Sequence, residues 1–497
     1  MFQTHPACPY VKVYFTKIYF SKLGLSQNGG TEMFVGRGRE LATLQRLYDT
    51  PGFQFPVIYG RRRVGKTYLM GQFVKSRPTI FFTAVENSAD INLRNLSREI
   101  YLFDHPDADP TSAPIYRDLQ TAIETIFSRA SNERLVFVID EYPYLAKADP
   151  SVSSVLQALI DRNKEASQLY LMLCGSSLSF MREQVLGDKS PLYGRRTSQL
   201  EIHPLDFFDA RQFFPDASTE EAISYYGMAG GVPLYLEQFR SGATLEDNIE
   251  YAFLQPSSFL YEEPQNLLKQ EVRKASVYNA IIGAIASGKT TGNEIATTVG
   301  MGTAEIAYYF KELQNIGLVE REEPVLASRR RPLYKLTDPM FRFWYRFVLP
   351  NKSAIERGMP QRALRSIENH LAEYLGPVFE QVCAEWLWRQ SAQDNLPVSF
   401  DELGRWWGND PSTKREEEID IVGVDGKNPV LVAECKWKNE PLGEAVSKEL
   451  LHRLSLLRRG VQAHRYLFSK RDFTAGCIEE AKRDPLLHLV SLDEMLA

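Results

Sequence analysis

Pro56-Val57-Ile58-Tyr59-Gly60-Arg61-Arg62-Arg63-Val64-Gly65-Lys66-Thr67 is the stretch on which the fold class turns. Its last eight residues fit the pattern G-x-x-x-x-G-K-[ST], and both flanks have the character that pattern needs. A short apolar run leads in and reads as a buried strand. Tyr68-Leu69-Met70-Gly71-Gln72-Phe73-Val74 leads out with helical spacing. Glycines let successive backbone N–H groups wrap phosphate oxygens, and a helix N-terminus adds the positive end of its dipole. The sequence therefore predicts a nucleotide cradle running through Gly60, Arg61, Arg62, Arg63, Val64 and Gly65. Lys66 is expected to reach the β- and γ-phosphates, and the Thr67 hydroxyl to ligate Mg2+.

The same pattern recurs letter for letter at Gly283-Ala284-Ile285-Ala286-Ser287-Gly288-Lys289-Thr290. There the lead-in, Val277-Tyr278-Asn279-Ala280-Ile281-Ile282, continues as an amphipathic helix with no strand before the first glycine. Amides inside a helix are already bonded, so no phosphate nest can form. Gly288 reads as a helix C-cap, and Thr290 or Thr291 as the next N-cap. This second match is set aside as a nucleotide site.

Outward from the first loop, apolar runs at 55–59, 79–83, 135–139 and 169–174 alternate with helical patterns. That is the signature of a parallel sheet covered on both faces. The third run delivers Asp140 and Glu141 at its C-terminal end. Asp140 is expected to hold Mg2+ through water and Glu141 to polarise the attacking water. The fourth run ends in Gly175-Ser176-Ser177, and Ser176 is the candidate sensor of the γ-phosphate. Beyond it, Tyr193-Gly194-Arg195-Arg196 offers an arginine for charge developing on the γ-phosphoryl, in its own copy or a neighbouring one of a homo-oligomer. A surface ion pair explains such an arginine as well, and nothing separates Arg195 from Arg196.

These motifs, with Phe34-Val35-Gly36-Arg37, together resemble the archaeal-type AAA ATPases, which also occur in bacteria. They are similar to the STAND branch of P-loop NTPases and to archaeal replication initiators. Gly230-Gly231-Val232-Pro233-Leu234 looks like that branch's Gly-x-Pro element in a small helical lid, which would put Pro233 near the base of the nucleotide. The resemblance covers residues 34 to 240 and implies ATP as the nucleotide. The loop alone would accept GTP equally well.

The 497 residues give a prior of about three domains. With 44% hydrophobic and 24% charged residues the chain has an ordinary globular composition. A formal charge of −5 excludes a generally basic nucleic-acid coat, so any such surface is local. Cys8, Cys174, Cys383, Cys435 and Cys477 lie far apart, which excludes a disulfide scaffold or zinc cluster and fits a reducing compartment. No apolar stretch is long enough for a membrane helix, and Lys12, Lys17 and Lys22 interrupt any signal layout. A cytoplasmic protein without membrane contact is expected. Residues 1–32 read either as an appended arm or as an extension before a true start at Met33. The expected order is then an α/β P-loop ATPase core at 33–205, a helical lid at 206–274, a winged helix at 275–350 and a last α/β domain at 351–497.

In the winged-helix segment three short helices precede a strand at Leu318-Val319-Glu320-Arg321 and a wing, Ser328-Arg329-Arg330-Arg331-Pro332-Leu333-Tyr334-Lys335. Arg329, Arg330, Arg331 and Lys335 carry four positive charges with no acid between them, which points to the phosphates of a nucleic acid, DNA in first place. A winged helix used only for protein packing remains the alternative.

In the last domain, strands at Ile419-Asp420-Ile421-Val422-Gly423-Val424 and Val430-Leu431-Val432-Ala433-Glu434-Cys435-Lys436-Trp437 flank the hairpin signal Asp425-Gly426-Lys427-Asn428. Residues two apart on a strand share a face, so Glu434 and Lys436 point the same way. Asp420 and Glu434 are candidate Mg2+ ligands, and Lys436 would orient a water against a scissile phosphate. This set resembles the PD-(D/E)xK restriction-endonuclease-like fold, and Glu380 in a helix at 377–382 matches its extra acidic position. Such domains can keep the residues and lose the activity. Trp406 and Trp407 read either as base-stacking surfaces or as cover over the sheet. Two functions follow: an Mg·ATP-hydrolysing ATPase coupled to DNA binding and a nuclease-like domain, or an ATP-dependent signalling or scaffold switch whose nuclease-like domain is inactive.

Overall fold

Strand β1 (Pro56–Tyr59) is buried along its whole length, and the phosphate-loop sequence leaves its C-terminal end directly. With β2 (Thr79–Thr83), β3 (Leu135–Asp140), β4 (Leu169–Gly175) and β5 (Ser198–Glu201) it forms a five-stranded sheet in the order β2-β3-β4-β1-β5. Every pairing in it is parallel. Val57, Phe137, Ile139, Leu171 and Leu173 pack on one face with Ile123, Ile126 and Leu156 of the covering helices. Ile58, Val136, Val138, Tyr170 and Met172 pack on the other, against Leu69, Met70 and Phe73 of the helix Lys66–Val74. Two covered faces are the physical reason these strands read as continuous apolar runs.

The computed structural model describes residues 34–272, 274–326, 332–457 and 462–496. The expected N-terminal arm, Met33, and Arg329, Arg330 and Arg331 of the wing lie outside them. The chain divides into two compact units, Met1–Pro204 and Leu205–Ala497. Among the described residues no helix is long and apolar enough to cross a membrane.

The second unit opens with helices that include Thr219–Ala229, Leu245–Phe253 and Phe259–Glu271. Three more, Ala275–Ala286, Gly292–Val299 and Thr303–Asn315, lead to an antiparallel ladder of β6 (Val319–Glu322) and β7 (Leu333–Leu336). Phe310 of the third helix stacks on Tyr334 of β7, with ring centroids 3.9 Å apart. The repeated phosphate-loop pattern falls within this segment. Gly283 lies inside the first of the three helices, the Lys289 N–H bonds to the Ala284 carbonyl, and Gly288 has φ 94°. Thr291 then caps the next helix in a reciprocal pair with Glu294. These amides are spent on ending one helix and starting another.

The last sheet has the order β12-β11-β10-β9-β8. Strands β8 (Glu402–Asn409), β9 (Glu416–Asp425) and β10 (Asn428–Lys436) are antiparallel neighbours. Strands β11 (His464–Ser469) and β12 (Leu487–Ser491) continue parallel from β10. The hairpin turns at Gly426, φ 61°, between Asp425 and Asn428. The short helix expected around Glu380 is part of a much longer one, Gln361–Ala392, with Pro377 inside it. Trp406 and Trp407 are each only 7% exposed, and Trp406 packs with Ile419, Leu450 and Leu467. They are cover over the sheet, which removes the base-stacking alternative.

Candidate nucleotide site and a second carboxylate cluster

The loop after β1 turns on three positive φ angles: 152° at Gly60, 70° at Arg63 and 89° at Gly65. A Cβ on Gly60 would stand 2.3 Å from the Ile202 carbonyl oxygen, so the passage of the chain beside β5 requires glycine there. Val64 is buried in the face that holds Leu69 and Met70. Lys66 is buried, and its Nζ donates to the Gly60 and Arg61 carbonyls at 2.9 and 2.8 Å. Arg62 donates to the Tyr144 hydroxyl at 3.0 Å.

Thr67, Asp140, Glu141 and Ser176 form one chain of contacts. The Thr67 hydroxyl donates to Asp140 Oδ2 at 3.0 Å, and the Glu141 N–H to Asp140 Oδ1 at 2.9 Å. Glu141 has φ 52°, an unusual left-handed conformation that ends β3 and starts the helix Tyr142–Ala148. Its Oε2 accepts from the Ser176 hydroxyl at 2.9 Å. Burial raises the Asp140 pKa, and the neighbouring Glu141 charge adds to the rise. Thr67 and Asp140 offer hard oxygen donors, the kind Mg2+ takes. Lys66 sits one residue away as the cation for phosphate. The residues present fit Mg·ATP.

Around this chain the other expected residues divide. The Arg195 guanidinium makes two hydrogen bonds to Asp161, at 2.9 and 2.6 Å, and a third to the Pro191 carbonyl. It holds the ion pair that was the alternative to a catalytic role. Arg196 donates to the Leu186 carbonyl at 3.1 Å and lies over the Tyr193 ring. Pro233 is the first residue of the short helix Pro233–Leu236 in the second unit. Gly231 just before it is required: a Cβ there would fall 1.7 Å from the Leu205 carbonyl oxygen.

Sequence reasoning missed Arg37 as a working residue, though it quoted the motif that contains it. Arg37 has φ 63° and donates to the carbonyls of Val64 in the loop and His203 beyond β5. It braces the cradle from behind.

In the second unit, Asp420, Glu434, Lys436 and Glu380 come together at β9, β10 and the helix Gln361–Ala392. Asp420 and Glu434 are 6% and 3% exposed. Lys436 pairs with Glu434 and stands 3.8 Å from Asp420, whose Oδ2 also accepts the Cys435 N–H at 2.8 Å. Burial pushes the Asp420 carboxyl up to about 7, with Glu434 and Glu380 adding repulsion. Burial also raises Glu380, against the pull of Arg405, whose Nε lies 3.9 Å away. For Lys436 burial lowers the pKa, but Glu434 and Asp420 outweigh it and hold the ammonium charged.

Two features correct the expected site. Arg453, on the helix Glu444–Leu457, donates from one nitrogen to both oxygens of Glu434, at 2.8 and 2.9 Å, and from Nε to Glu417 at 3.0 Å. Among the described residues no three His, Cys, Asp or Glu side chains are grouped so as to hold a metal ion. As arranged, Asp420 and Glu434 do not fit a divalent cation, because Glu434 already has a cation on each oxygen. On the ladder, Lys335 is not a free charge for phosphate: it pairs with Glu322 at 2.9 Å and Glu320 at 3.5 Å across β6.

Comparison with known proteins puts names to parts of this architecture. Residues 34–239 match a family described as an ATPase domain predominantly from Archaea. Residues 344–450 match a family of archaeal and bacterial proteins described as of unknown function. The Methanocaldococcus jannaschii protein MJECL04 is 35% identical over 410 residues, 82% of this chain and 88% of its own. Two solved structures are similar at low identity. The Walker-type ATPase paby2304 of Pyrococcus abyssi is 18% identical, with TM-score 0.47, over 63% of this chain and 96% of its own. The ORC2 protein of Aeropyrum pernix, in ADPNP–ADP complexes, is 14% identical, with TM-score 0.42, over 69% and 98%.

Proposed function

This chain belongs to the family of the M. jannaschii protein MJECL04 and carries an ATPase domain of the predominantly archaeal kind, and from that premise we propose that it binds Mg·ATP at Gly60–Thr67 and hydrolyses it with Asp140 and Glu141. The observation that carries this reading is the contact chain Thr67–Asp140–Glu141–Ser176. Lys66 leaves the Gly60 and Arg61 carbonyls for the β- and γ-phosphate oxygens. Glu141 orients and polarises the attacking water, and Ser176 fixes the carboxylate that does so. Thr67 and Asp140 would hold Mg2+, which would supply positive charge against the transferred phosphoryl group. Phosphate release tests the assignment: Glu141→Gln retains ATP binding and loses turnover. Full turnover in that variant overturns it.

For the second unit our reading is a nucleic-acid role. The three helices and ladder at 275–336 serve as a DNA-binding winged helix, with Arg329, Arg330 and Arg331 on phosphate. Asp420, Glu434, Lys436 and Glu380 form a restriction-endonuclease-like cluster. The support is the gathering of Asp420, Glu434 and Lys436 on a sheet that changes from antiparallel to parallel at β10, with Glu380 beside them on the helix Gln361–Ala392. One observation favours the second reading, an ATP-dependent switch with an inactive nuclease-like domain: both oxygens of Glu434 are taken by Arg453. Mg2+-dependent cleavage of plasmid and single-stranded DNA, with and without ATP, separates the two. Cleavage lost in Lys436→Ala selects the nuclease, and no cleavage under any condition selects the switch.

A further inference from the structure

We propose that the Arg453 guanidinium is the resident cation of the C-terminal carboxylate cluster, so that a divalent metal gains Glu434 only when Arg453 leaves it. The inference rests on reading Asp420 and Glu434 as the cluster's metal-facing carboxylates. Glu434 is almost fully buried, and a buried carboxylate demands a charged partner. Arg453 meets that demand on both oxygens, while Lys436 holds one of them as well. Three hydrogen bonds from two cations already draw on the Glu434 oxygens, and their positive charge opposes a metal ion at the same carboxylate.

The arginine is delivered rather than stray. Its helix is anchored by Leu450 and Leu454, buried among Val432, Leu467 and Ile419. His452 beside it bonds to Asp410 at 3.0 Å, and Arg453 Nε is fixed by Glu417. One helix thus sets the guanidinium over the carboxylate at the end of β10. Carboxylates remain near it: Glu417 pairs with Arg453 Nε, and Glu380, whose carboxyl feels the Glu434 charge, has Arg405 as its counter-ion. Withdrawing Arg453 leaves an acidic surround for an incoming cation.

The test is Mn2+ binding to the full chain without nucleotide, followed by electron paramagnetic resonance, together with thermal melting in and out of Mn2+. Wild type binds Mn2+ weakly, and Arg453→Met binds it about tenfold more tightly or better. Asp420→Asn added to Arg453→Met erases the gain, which places the ion at this cluster and not at Thr67 and Asp140. Mn2+ raises the melting temperature of Arg453→Met and leaves wild type unchanged. Arg453→Lys keeps a cation without the fork, holds the fold if the methionine variant does not, and gives a smaller gain of the same sign. Equal affinity in wild type and both Arg453 variants, abolished by Asp420→Asn, overturns the inference and keeps the metal-facing reading. No Mn2+ bound at this cluster in any variant overturns that reading and the inference with it.

Discussion

At the end of β3, Asp140 and Glu141 are held by neutral hydroxyls, Thr67 on one carboxylate and Ser176 on the other. At the end of β10, Glu434 is held by two cations, Arg453 and Lys436. Both sites bring two buried or half-buried acids together, at the end of one strand in the first and on the neighbouring strands β9 and β10 in the second. The donors decide what each can do. A hydroxyl satisfies one lone pair and leaves the negative charge for Mg2+ and phosphate chemistry. A guanidinium takes the charge itself. Two acids brought together are therefore not yet a metal site.

The largest effect expected of this contrast is at the loop lysines. Lys66→Ala reduces ATP hydrolysis by about a hundredfold or more, as loss of a charge-stabilising donor does. Lys289→Ala, at a helix end, leaves it nearly intact, and equal losses in a phosphate-release assay would break the distinction between the two loops. Next comes the hydroxyl hold on Glu141. Ser176→Ala slows turnover by about tenfold, the worth of one hydrogen bond to a charged group, with the effect in kcat and little in KM. A pure KM effect would make Ser176 a binding residue instead.

The last effect is on stability rather than turnover and concerns a third kind of carboxylate. Glu385, buried in the second unit, accepts from the Phe207 N–H, the Tyr226 hydroxyl and the Gln381 amide, all neutral. Burial pushes it up to about 7 from 4.5. Its folded value lies above its unfolded one, so the native state keeps a proton that the unfolded chain releases. The stabilisation is complete below pH 4.5 and fades as pH rises to about 7, by up to about 3 kcal/mol. Glu385→Gln flattens that part of a denaturant-melting pH profile, and an unchanged slope would refute the protonation.

What the sequence made legible was local. Gly60–Thr67, the strand ending in Asp140 and Glu141, and the hairpin around Gly426 are each a contiguous pattern, and each stands in the structure as a contiguous element. The rejected second loop was legible for the same reason, because an uninterrupted helix preceded it. What escaped were partners distant along the chain. Arg453 reads as a solvated charge on an amphipathic helix, and only the fold brings it to Glu434. Arg37 reads as part of a motif, and its carbonyl partners at Val64 and His203 come from two other segments. Only 377–382 of the helix Gln361–Ala392 is read from the sequence, since Gly376 and Pro377 disfavour a helix interior. Pro377 lies on the exposed face, where the carbonyl it leaves unbonded can turn to water. Lys335 looked free beside three arginines because its acids are on the opposing strand, across the ladder.

The contrast between hydroxyl-held and cation-held carboxylates is tested most directly by counting Mn2+ ions on the wild-type chain with and without a non-hydrolysable ATP analogue. One Mn2+ per chain binds tightly, present only with the nucleotide, lost in Thr67→Val and unaffected by Glu434→Gln. Tight Mn2+ without nucleotide that Glu434→Gln removes would contradict it.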